Sequence, residues 1–401
     1  MLTDMLSHFT VSRYVNPIFI SFLKKLSKKF AYHLKIAYLC NIIKAIMDYI
    51  KISGYKSFKN LAVQLYPINL LIGANGAGKS NFLSLFEMLS NVYDKKLASY
   101  VMQVGGVDKL LYQGRKVTEH IDLELGQNQK CYQLSLMESD GKLMIQNETV
   151  GTSSDSSFES VSINQYSDES QLKEYMQTNA GEYLNEYISQ IRKFHFHDTG
   201  RRSPFTADSH IVNDAYRMYE HGENLAAILY RIQREKPMAY RRIIRVIQSV
   251  APYFSDFYFQ PTEADTVRLQ WQDKYSSMIY GPTDLSDGTI RFIALTVLFM
   301  QPWLPKVIII DEPELGLHPV AIAKLSGLIR MAAQKGTQVI VATQSAELIS
   351  NFEPEDVLTV DQNEEGSVVK RLDRQTLEHW LDEYTLGDLW KQNIVRGGQP
   401  R

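Results

Sequence analysis

Glycines, a lysine and a serine stand at the spacing of a phosphate-binding loop. The loop occupies residues 73–80, in the order Gly73, Ala74, Asn75, Gly76, Ala77, Gly78, Lys79, Ser80. Glycine permits backbone conformations that turn successive N–H groups toward an anion. The spacing G-x-x-x-x-G-K-[ST] predicts that Lys79 meets the β- and γ-phosphates of a nucleoside triphosphate and that Ser80 holds Mg²⁺. Asn81, which follows, belongs to the same predicted nucleotide site.

The sequence on both sides of this loop predicts the elements that must position it. Residues 68–72 are apolar and predict a buried strand that leads into the loop. Residues 80–89 predict a helix whose positive N-terminal end faces the bound phosphates. A chance glycine-rich turn would not be expected to have both neighbours.

A second candidate for chemistry is a pair of acids at the end of an apolar run. Residues 307–310 are Val-Ile-Ile-Ile, and Asp311 and Glu312 follow directly. This pattern predicts a buried central strand that delivers both carboxylates to its C-terminal edge. Asp311 is then suited to the Mg²⁺ shell, and Glu312 is suited to orient or deprotonate an attacking water.

A third segment decides between classes of phosphate-loop protein. Residues 285–289 are Leu-Ser-Asp-Gly-Thr and precede an apolar helix predicted at residues 292–298. Alone this is a weak motif, because Ser-Asp-Gly is a common helix start. In order with the other two motifs, and followed by Pro-Glu-Leu-Gly-Leu-His-Pro at residues 313–319, it resembles the LSGGQ signature and the D-loop of ABC-type ATPases. Residues 47–360 therefore resemble the ATPase heads of the SMC, RecF and OLD-type branch, and within it the compact bacterial AAA-type ATPases.

The resemblance implies a fold and a mechanism. The expected fold is an α/β P-loop NTPase: an ABC-type head with a mixed sheet, a small helical lobe and a C-terminal amphipathic tail. ATP and Mg²⁺ are the implied cofactors. Two heads would face each other head to tail, so that Ser286 and Gly288 of one subunit reach the nucleotide held by Lys79 of its partner. The D-loop around Glu314 would then couple the two sites.

Three positions need separate comment. Gln344 stands where many ABC heads have a histidine after the following strand, and its amide can hydrogen-bond a γ-phosphate but cannot become a cation. The sequence has no clear equivalent of the family's Q-loop glutamine. Asp198, in a strand predicted at residues 194–199, is the candidate replacement as a metal or water ligand. The alternative is that Asp198 and the neighbouring histidines have only a structural role. Lys56 lies in a strand turn, at residues 55–58, which resembles the family's cover over adenine and ribose; aromatic packing into the core is the alternative.

The domain organisation follows from shifts in composition. Residues 1–46 contain no Glu and many Lys and apolar residues, which predicts an extension, either a surface or partner-binding helix or an upstream addition to the reading frame. Residues 47–401 form the expected ATPase domain. Its parts are the phosphate-loop lobe at 47–137, a polar mobile insertion and a helix at 138–193, a Q-loop-like strand and helical lobe at 194–283, the signature lobe at 284–376 and the tail at 377–401.

Composition and patterning restrict the partners. The formal net charge is -2, and two cysteines are too few for a disulfide framework. This composition favours a cytoplasmic protein, and a membrane partner is not favoured. Helices predicted at 223–234 and 237–250 are too short for the coiled coil of SMC proteins, and the tail leaves no room for a TOPRIM nuclease domain. Aromatics in that tail either pack onto the head or dock a separate effector. The candidate DNA surface is a basic cluster, and an ordinary solvated helix face is the alternative; its members are Arg231, Arg234, Lys236, Arg241, Arg242 and Arg245.

Three functions remain open at this point. The leading hypothesis is an ATPase that dimerises around ATP and regulates a DNA transaction or a separately encoded nuclease or toxin, in DNA repair or anti-phage defence. The second is a scaffold protein that binds ATP without hydrolysing it. The third is a transporter-associated ATPase, which the signature, the D-loop and Gln344 disfavour.

Overall fold

A computed structural model describes residues 46–127, 129–153, 158–175 and 179–395. The extension predicted for residues 1–46 therefore lies, apart from Ile46, outside the described residues. The described residues from Ile46 onward form one compact unit. No helix among the described residues is long and apolar enough to cross a membrane.

The unit contains both helices and strands, and strands alternate with helices in the part from residue 279 to residue 363. The helices are α1 (Lys79–Tyr93), α2 (Leu97–Gln103), α3 (Asn179–Ile188), α4 (Leu225–Glu235), α5 (Pro237–Gln248), α6 (Asp287–Met300), α7 (Pro319–Gln334), α8 (Ala346–Ile349), α9 (Arg374–Leu381) and α10 (Leu386–Lys391). The strands are β1 (Tyr49–Tyr55), β2 (Phe58–Gln64), β3 (Ile68–Ile72), β4 (His120–Gln127), β5 (Lys130–Ser139), β6 (Lys142–Ser153), β7 (Phe158–Ser167), β8 (Ile191–Phe194), β9 (Ser209–His210), β10 (Phe254–Tyr258), β11 (Thr266–Val267), β12 (Gln270–Asp273), β13 (Ile279–Tyr280), β14 (Val307–Asp311), β15 (Gln338–Ala342), β16 (Val357–Asn363) and β17 (Gly366–Arg371).

One mixed sheet organises these elements. Within the described residues it has twelve strands in the order β7-β6-β5-β4-β1-β2-β17-β16-β3-β15-β14-β8. The strands from β16 to β8 run parallel, whereas those from β7 to β17 pair antiparallel. The expected α/β fold with a mixed sheet is confirmed by this order.

The three central parallel strands, β3, β14 and β15, are buried on both faces, which is why they are almost entirely apolar. Successive residues of β14 point to opposite sides: Ile308 and Ile310 belong to one hydrophobic core, and Ile309 belongs to the other. Helices α4, α5, α6 and α7 contribute to the first core, and α1, α2 and α3 contribute to the second. Side chains on both sides therefore hold the central strands in place. A shift by one residue would move every side chain of a strand into the opposite core.

The polar segment at 138–179 is not the mobile insertion that its composition predicts. Strands β6 and β7 pair with each other and extend the antiparallel half of the sheet. Tyr132 of β5 and Thr149 of β6 are buried. Glu148 explains how polar residues can form this structure. Its carboxyl group is fully buried and accepts hydrogen bonds from four groups, which are the Tyr132 hydroxyl (2.7 Å), the Ser170 hydroxyl (2.5 Å), the Gln171 N–H (2.9 Å) and the Asn164 amide (3.2 Å).

Two further predictions of local structure need correction. The helix expected at 181–193 ends at Ile188, because the next residues form β8, which pairs with β14. The strand expected at 194–199 is wrong for the same reason: the chain leaves the sheet after Phe194. The two short helices expected in the following lobe are confirmed as α4 and α5.

The tail mostly packs onto the head, as one of its two interpretations predicts. Leu386 and Leu389 of α10 are buried, and Trp390 packs against the same core. Trp380 and Tyr384 differ, since each remains about two-fifths exposed, at 41% and 38%. Tyr55 and Phe58, on either side of the Lys56 turn, are fully buried, so the aromatic residues of that turn are core residues.

We expect Glu148→Leu to lower the free energy of unfolding by about 3 kcal/mol, because four donors, of which the Tyr132 and Ser170 hydroxyls are buried, lose their acceptor. Urea denaturation followed by circular dichroism measures this change. Glu159→Leu, at an exposed position of β7, is the matched control and should change the free energy by less than about 0.5 kcal/mol. Equal effects of the two substitutions would contradict the structural role of Glu148.

Candidate functional site

The C-terminal ends of four parallel strands meet at one edge of the sheet. The phosphate loop (residues 73–80) follows β3, Asp311 ends β14, Gln344 follows β15 and His195 follows β8. Residues at this edge come from positions more than 200 apart in the sequence, yet the parallel register aligns them: Asp311 lies opposite Ala342, and Ala342 lies opposite Leu71. Such an edge is where ligands bind in open α/β sheets.

The phosphate loop has the backbone conformation that its glycines predict. Gly76 and Gly78 have φ angles of +79° and +116°, a region that residues with a Cβ avoid. Lys79 begins α1 and is buried; its Nζ donates to the carbonyl oxygens of Gly73 (2.8 Å) and Ala74 (3.0 Å). Burial lowers the pKa of Lys79, while the charges of Asp311 and Glu312 act in the opposite direction. The ammonium group is thus held inside the loop, where an anion would be enclosed.

Ser80 and Asp311 form a pair of oxygen ligands suited to a small cation. The Ser80 hydroxyl donates to Asp311 Oδ2 at 3.2 Å. Adjacent ligands of an octahedral Mg²⁺ are about 3.0 Å apart, since each Mg–O bond is about 2.1 Å. Burial is the main reason that the pKa of Asp311 is raised, with Lys79 and His197 acting against it. The donor set therefore fits Mg²⁺, and a cation here would favour the ionised carboxylate.

Glu312 and Gln344 lie together beside this pair. Gln344 Nε2 donates to Glu312 Oε1 at 2.5 Å, and the Glu312 N–H donates to the Ala342 carbonyl at 2.8 Å. Glu312 has a φ of +43°, which is unusual for a residue with a side chain and is often found at functional sites. The two residues predicted to act on water and γ-phosphate are therefore in direct contact.

The structure does not bring Asp198 into this group. Asp198 is exposed, and among the described residues its carboxylate is bonded only to the Gly200 N–H (3.2 Å). His197 is the neighbour that reaches the site: its Nε2 lies 3.0 Å from the Asp311 carbonyl oxygen, and its ring stacks on His195 with centroids 4.2 Å apart. Within the described part of the chain, no group of three or more His, Cys, Asp or Glu is placed to hold a metal ion.

Lys56 and Asn81 line a cleft next to the start of α1. Asn81 Nδ2 donates to Ser57 Oγ at 2.9 Å, and Lys56 Nζ donates to Ser84 Oγ, on the next turn of the helix, at 2.9 Å. The cleft has a volume of about 820 Å³. Three further cations line it: Lys109, Arg115 and Lys116.

The signature segment (residues 285–289) forms the start of α6. Ser286 caps this helix by accepting from the Thr289 N–H and is exposed to solvent. Among the described residues, neither Ser286 nor Gly288 forms a hydrogen bond with Lys79 or Ser80. Gly288 instead approaches the D-loop (residues 313–319) so closely that an added Cβ would collide with the Gly316 carbonyl oxygen.

A buried arginine ties the signature helix to two loops. Arg291, one turn into α6, is 5% exposed. Its guanidinium donates to the carbonyls of Phe196 (2.9 Å) and His197 (3.1 Å), in the loop after β8, and to the carbonyl of Leu315 in the D-loop. Burial lowers the pKa of Arg291, and three carbonyl oxygens compensate the charge.

Two important residues were not identified as buried by sequence reasoning. Arg291 stands in an otherwise apolar helix, and this interruption is the signal that could have marked it as a buried cation. Glu314 is 8% exposed and bonded to Thr343, although its position in a polar loop suggests a surface residue. No local pattern in the sequence distinguishes it from an exposed acid.

Two family models match the chain. Residues 46–253, just over half of the chain, match the model of an AAA ATPase domain. Residues 233–350 match a second AAA domain model, whose description names the AbiEii toxin and a Type IV TA system.

Individual relatives support the same assignment. The Old nuclease of Escherichia phage P2 is 22% identical over 379 residues, covering 82% of this chain and 61% of that protein. The energy-coupling factor transporter ATP-binding protein EcfA2 of Lactobacillus delbrueckii subsp. bulgaricus is 26% identical over 140 residues, covering 33% of this chain and 47% of that protein. The chain thus spans less than two thirds of both curated relatives. The SmcHead, solved bound to the C-winged helix domain of ScpA, has the same fold, with a TM-score of 0.51, 14% identity and coverage of 83% of this chain and 99% of that one.

We expect Lys79→Ala to weaken ATP binding at least about 100-fold, because it removes the cation enclosed by the phosphate loop. Isothermal titration calorimetry with ATP and Mg²⁺ measures this affinity, and circular dichroism checks that the fold is intact. Lys142→Ala, an exposed lysine of β6, is the control and should bind ATP like the unmodified protein. Unchanged affinity in Lys79→Ala would refute the assignment of the loop.

Proposed function

The chain belongs to the AAA ATPase domain family, and we propose that it hydrolyses ATP with Mg²⁺ and uses the nucleotide to join two copies head to tail. The single observation that supports hydrolysis best is the position of Glu312: it directly follows Asp311, its charge acts on Asp311 and Lys79, and its carboxylate is bonded to Gln344. A scaffold that only binds ATP would not require an acid in a strained conformation at that point.

Each residue of the site has a defined part in this proposal. The N–H groups of residues 73–80 and the Lys79 ammonium hold the phosphates, and Ser80 and Asp311 hold Mg²⁺. The cation, when bound, neutralises charge on the phosphate oxygens. Glu312 accepts a proton from the attacking water as general base. Gln344 keeps the Glu312 carboxylate in place through its amide N–H and leaves its carbonyl oxygen able to accept from the same water.

The nucleoside part of ATP fits the cleft beside α1. The cleft adjoins Asn81 and Lys56, so a nucleotide whose phosphates lie in the loop can place its base and ribose there. Arg115 is paired with Asp108, which lines the same cleft. Lys109 and Lys116 are therefore the cations that favour a negatively charged ligand there. Lys56 then lies near the α-phosphate side of the nucleotide.

Head-to-tail pairing is supported by the exposed signature segment, whose polar groups could complete the nucleotide site of a second copy. Ser286 is exposed, and among the described residues its hydroxyl is bonded only to Thr289, in the first turn of the same helix. A second copy facing the phosphate loop would add the Ser286 hydroxyl and the Gly288 N–H to the γ-phosphate. Leu315 supports the same face as an interface, because it is a large apolar residue that is 48% exposed in the D-loop.

For the biological role we propose control of a DNA transaction or of a separate nuclease or toxin. The Old nuclease match covers 82% of the chain, whereas the transporter match covers 33%, which favours this role over transport. Arg241, Arg242 and Arg245 are exposed, and none forms an ion pair among the described residues, so they remain the candidate phosphate contacts. Arg231 leaves the cluster, since it is bonded to Glu235 and stacked on Trp303.

We expect Glu312→Gln to reduce ATP turnover by about 100-fold or more while ATP still binds, because the amide keeps the shape but cannot accept the proton. Phosphate release measures turnover, with and without duplex DNA, and calorimetry measures binding. Glu378→Gln, an exposed acid of α9, serves as control. Wild-type turnover in Glu312→Gln would eliminate Glu312 as the base, and zero turnover in the unmodified protein under both conditions would favour the scaffold.

We expect Ser286→Arg to prevent ATP-dependent dimerisation without weakening ATP binding to one subunit, because its side chain would clash only across the interface. Sedimentation velocity of Glu312→Gln protein with ATP should show a dimer, and adding Ser286→Arg should restore the nucleotide-free state. Ser249→Arg, an exposed serine after α5, should leave the dimer intact. Assembly that ignores both ATP and Ser286→Arg would disprove the pairing.

A further inference from the structure

A buried carboxyl group lies behind the Glu312 and Gln344 pair. Glu314 is two residues after Glu312 and is 8% exposed. Its Oε1 accepts a hydrogen bond from the Thr343 hydroxyl (2.5 Å) and a longer one from the Gln344 backbone N–H (3.4 Å). Its Oε2 is buried and has no hydrogen-bond partner among the described residues.

Thr343 connects this carboxyl group to the rigid part of the fold. It is fully buried, its N–H donates to the Leu71 carbonyl (3.0 Å) at the end of β3, and its hydroxyl accepts from the Ser345 N–H (3.0 Å). Thr343 therefore joins residues 343–345, the segment that carries Gln344, to the strand that leads into the phosphate loop, and Glu314 joins the same segment to the D-loop. A segment held at three consecutive residues has little freedom to rotate.

The Gln344 side chain extends from this anchored segment to Glu312. Its amide meets Glu312 Oε1 at 2.5 Å, although Gln344 itself is exposed to solvent. An exposed glutamine has several accessible rotamers, and fixing its backbone limits the directions in which the amide can point. The contacts thus form a continuous path from the D-loop, through Glu314 and Gln344, back to the proposed general base.

We propose that Glu314 is a positioning residue for ATP hydrolysis, which orients Gln344 and through it the carboxylate of Glu312. This inference rests on the proposed ATPase function and assigns to Glu314 a role that it performs through another side chain.

The role of Glu314 requires an acceptor oxygen and no negative charge. Burial is the main cause that raises its pKa, and within the described residues it forms no ion pair with a cation. A neutral carboxyl group offers the same carbonyl oxygen to Thr343 and Gln344. Glutamine should therefore replace Glu314, whereas methionine, which has similar length and no acceptor oxygen, should not.

The test is a double-substitution cycle with Gln344. Glu314→Met should lower kcat roughly 10-fold and leave the ATP affinity within about threefold, and Glu314→Gln should keep kcat within about threefold. In a Gln344→Ala background, Glu314→Met should lower kcat by less than about twofold more, because the residue through which it acts is gone. Glu347→Met, an exposed acid at the start of α8, is the matched control and should leave kcat unchanged.

A structural role alone gives a different pattern. Loss of general stability would lower the melting temperature and reduce kcat by the same factor with and without Gln344. That result overturns the proposal, and so does an equal loss in Glu314→Gln and Glu314→Met. Should Glu314→Met fail to fold, Thr343→Val removes the hydroxyl donor instead, and its effect on kcat should likewise disappear in the Gln344→Ala background.

The same measurements separate this proposal from the one on which it rests. If the unmodified protein does not hydrolyse ATP, or if Glu312→Gln keeps full turnover, the proposed function fails and Glu314 has no hydrolysis to serve. If turnover depends on Glu312 but the Glu314 and Gln344 effects multiply independently, only the positioning role is overturned.

Discussion

The parallel register of β3, β15 and β14 is the constraint on which the site depends. It aligns the start of the phosphate loop with Thr343 and with Asp311, so that three distant parts of the sequence end at one edge of the sheet. Because these strands are buried on both faces, the side chains of two hydrophobic cores hold the register. The antiparallel half of the sheet carries none of these residues. Its polar strands β6 and β7 are held instead by hydrogen bonds to the buried carboxyl group of Glu148.

Polar groups removed from solvent determine how the loops at this edge are held. Arg291 and Glu314 are both buried, and each is bonded to residues far away in the sequence or to the backbone of another element. A buried polar group that loses its partners costs free energy, whereas a satisfied one fixes a single arrangement. This edge of the sheet therefore combines apolar central strands with a few specific hydrogen bonds from buried polar side chains.

The sequence predicts the local parts of this structure better than the assembled ones. The loop at 73–80 and the acids at 311 and 312 are recognisable because their chemistry requires adjacent residues. The strands β6 and β7 are not, since their polar composition becomes compatible with a sheet only when Tyr132, Asn164 and Ser170 converge on Glu148. The Asp198 prediction fails to join the site for a related reason: the chain turns away from the sheet three residues earlier.

The attachment made by Arg291 has a consequence for comparing related sequences. All three of its partners are main-chain carbonyl oxygens, which every amino acid possesses. The side chains at 196, 197 and 315 can therefore change without breaking the attachment, and no correlated substitution with position 291 is needed to preserve it. Only replacement of the arginine itself, or a change in the length of either loop, would remove it. Its importance would be visible in an alignment as fixed spacing and not as paired residues.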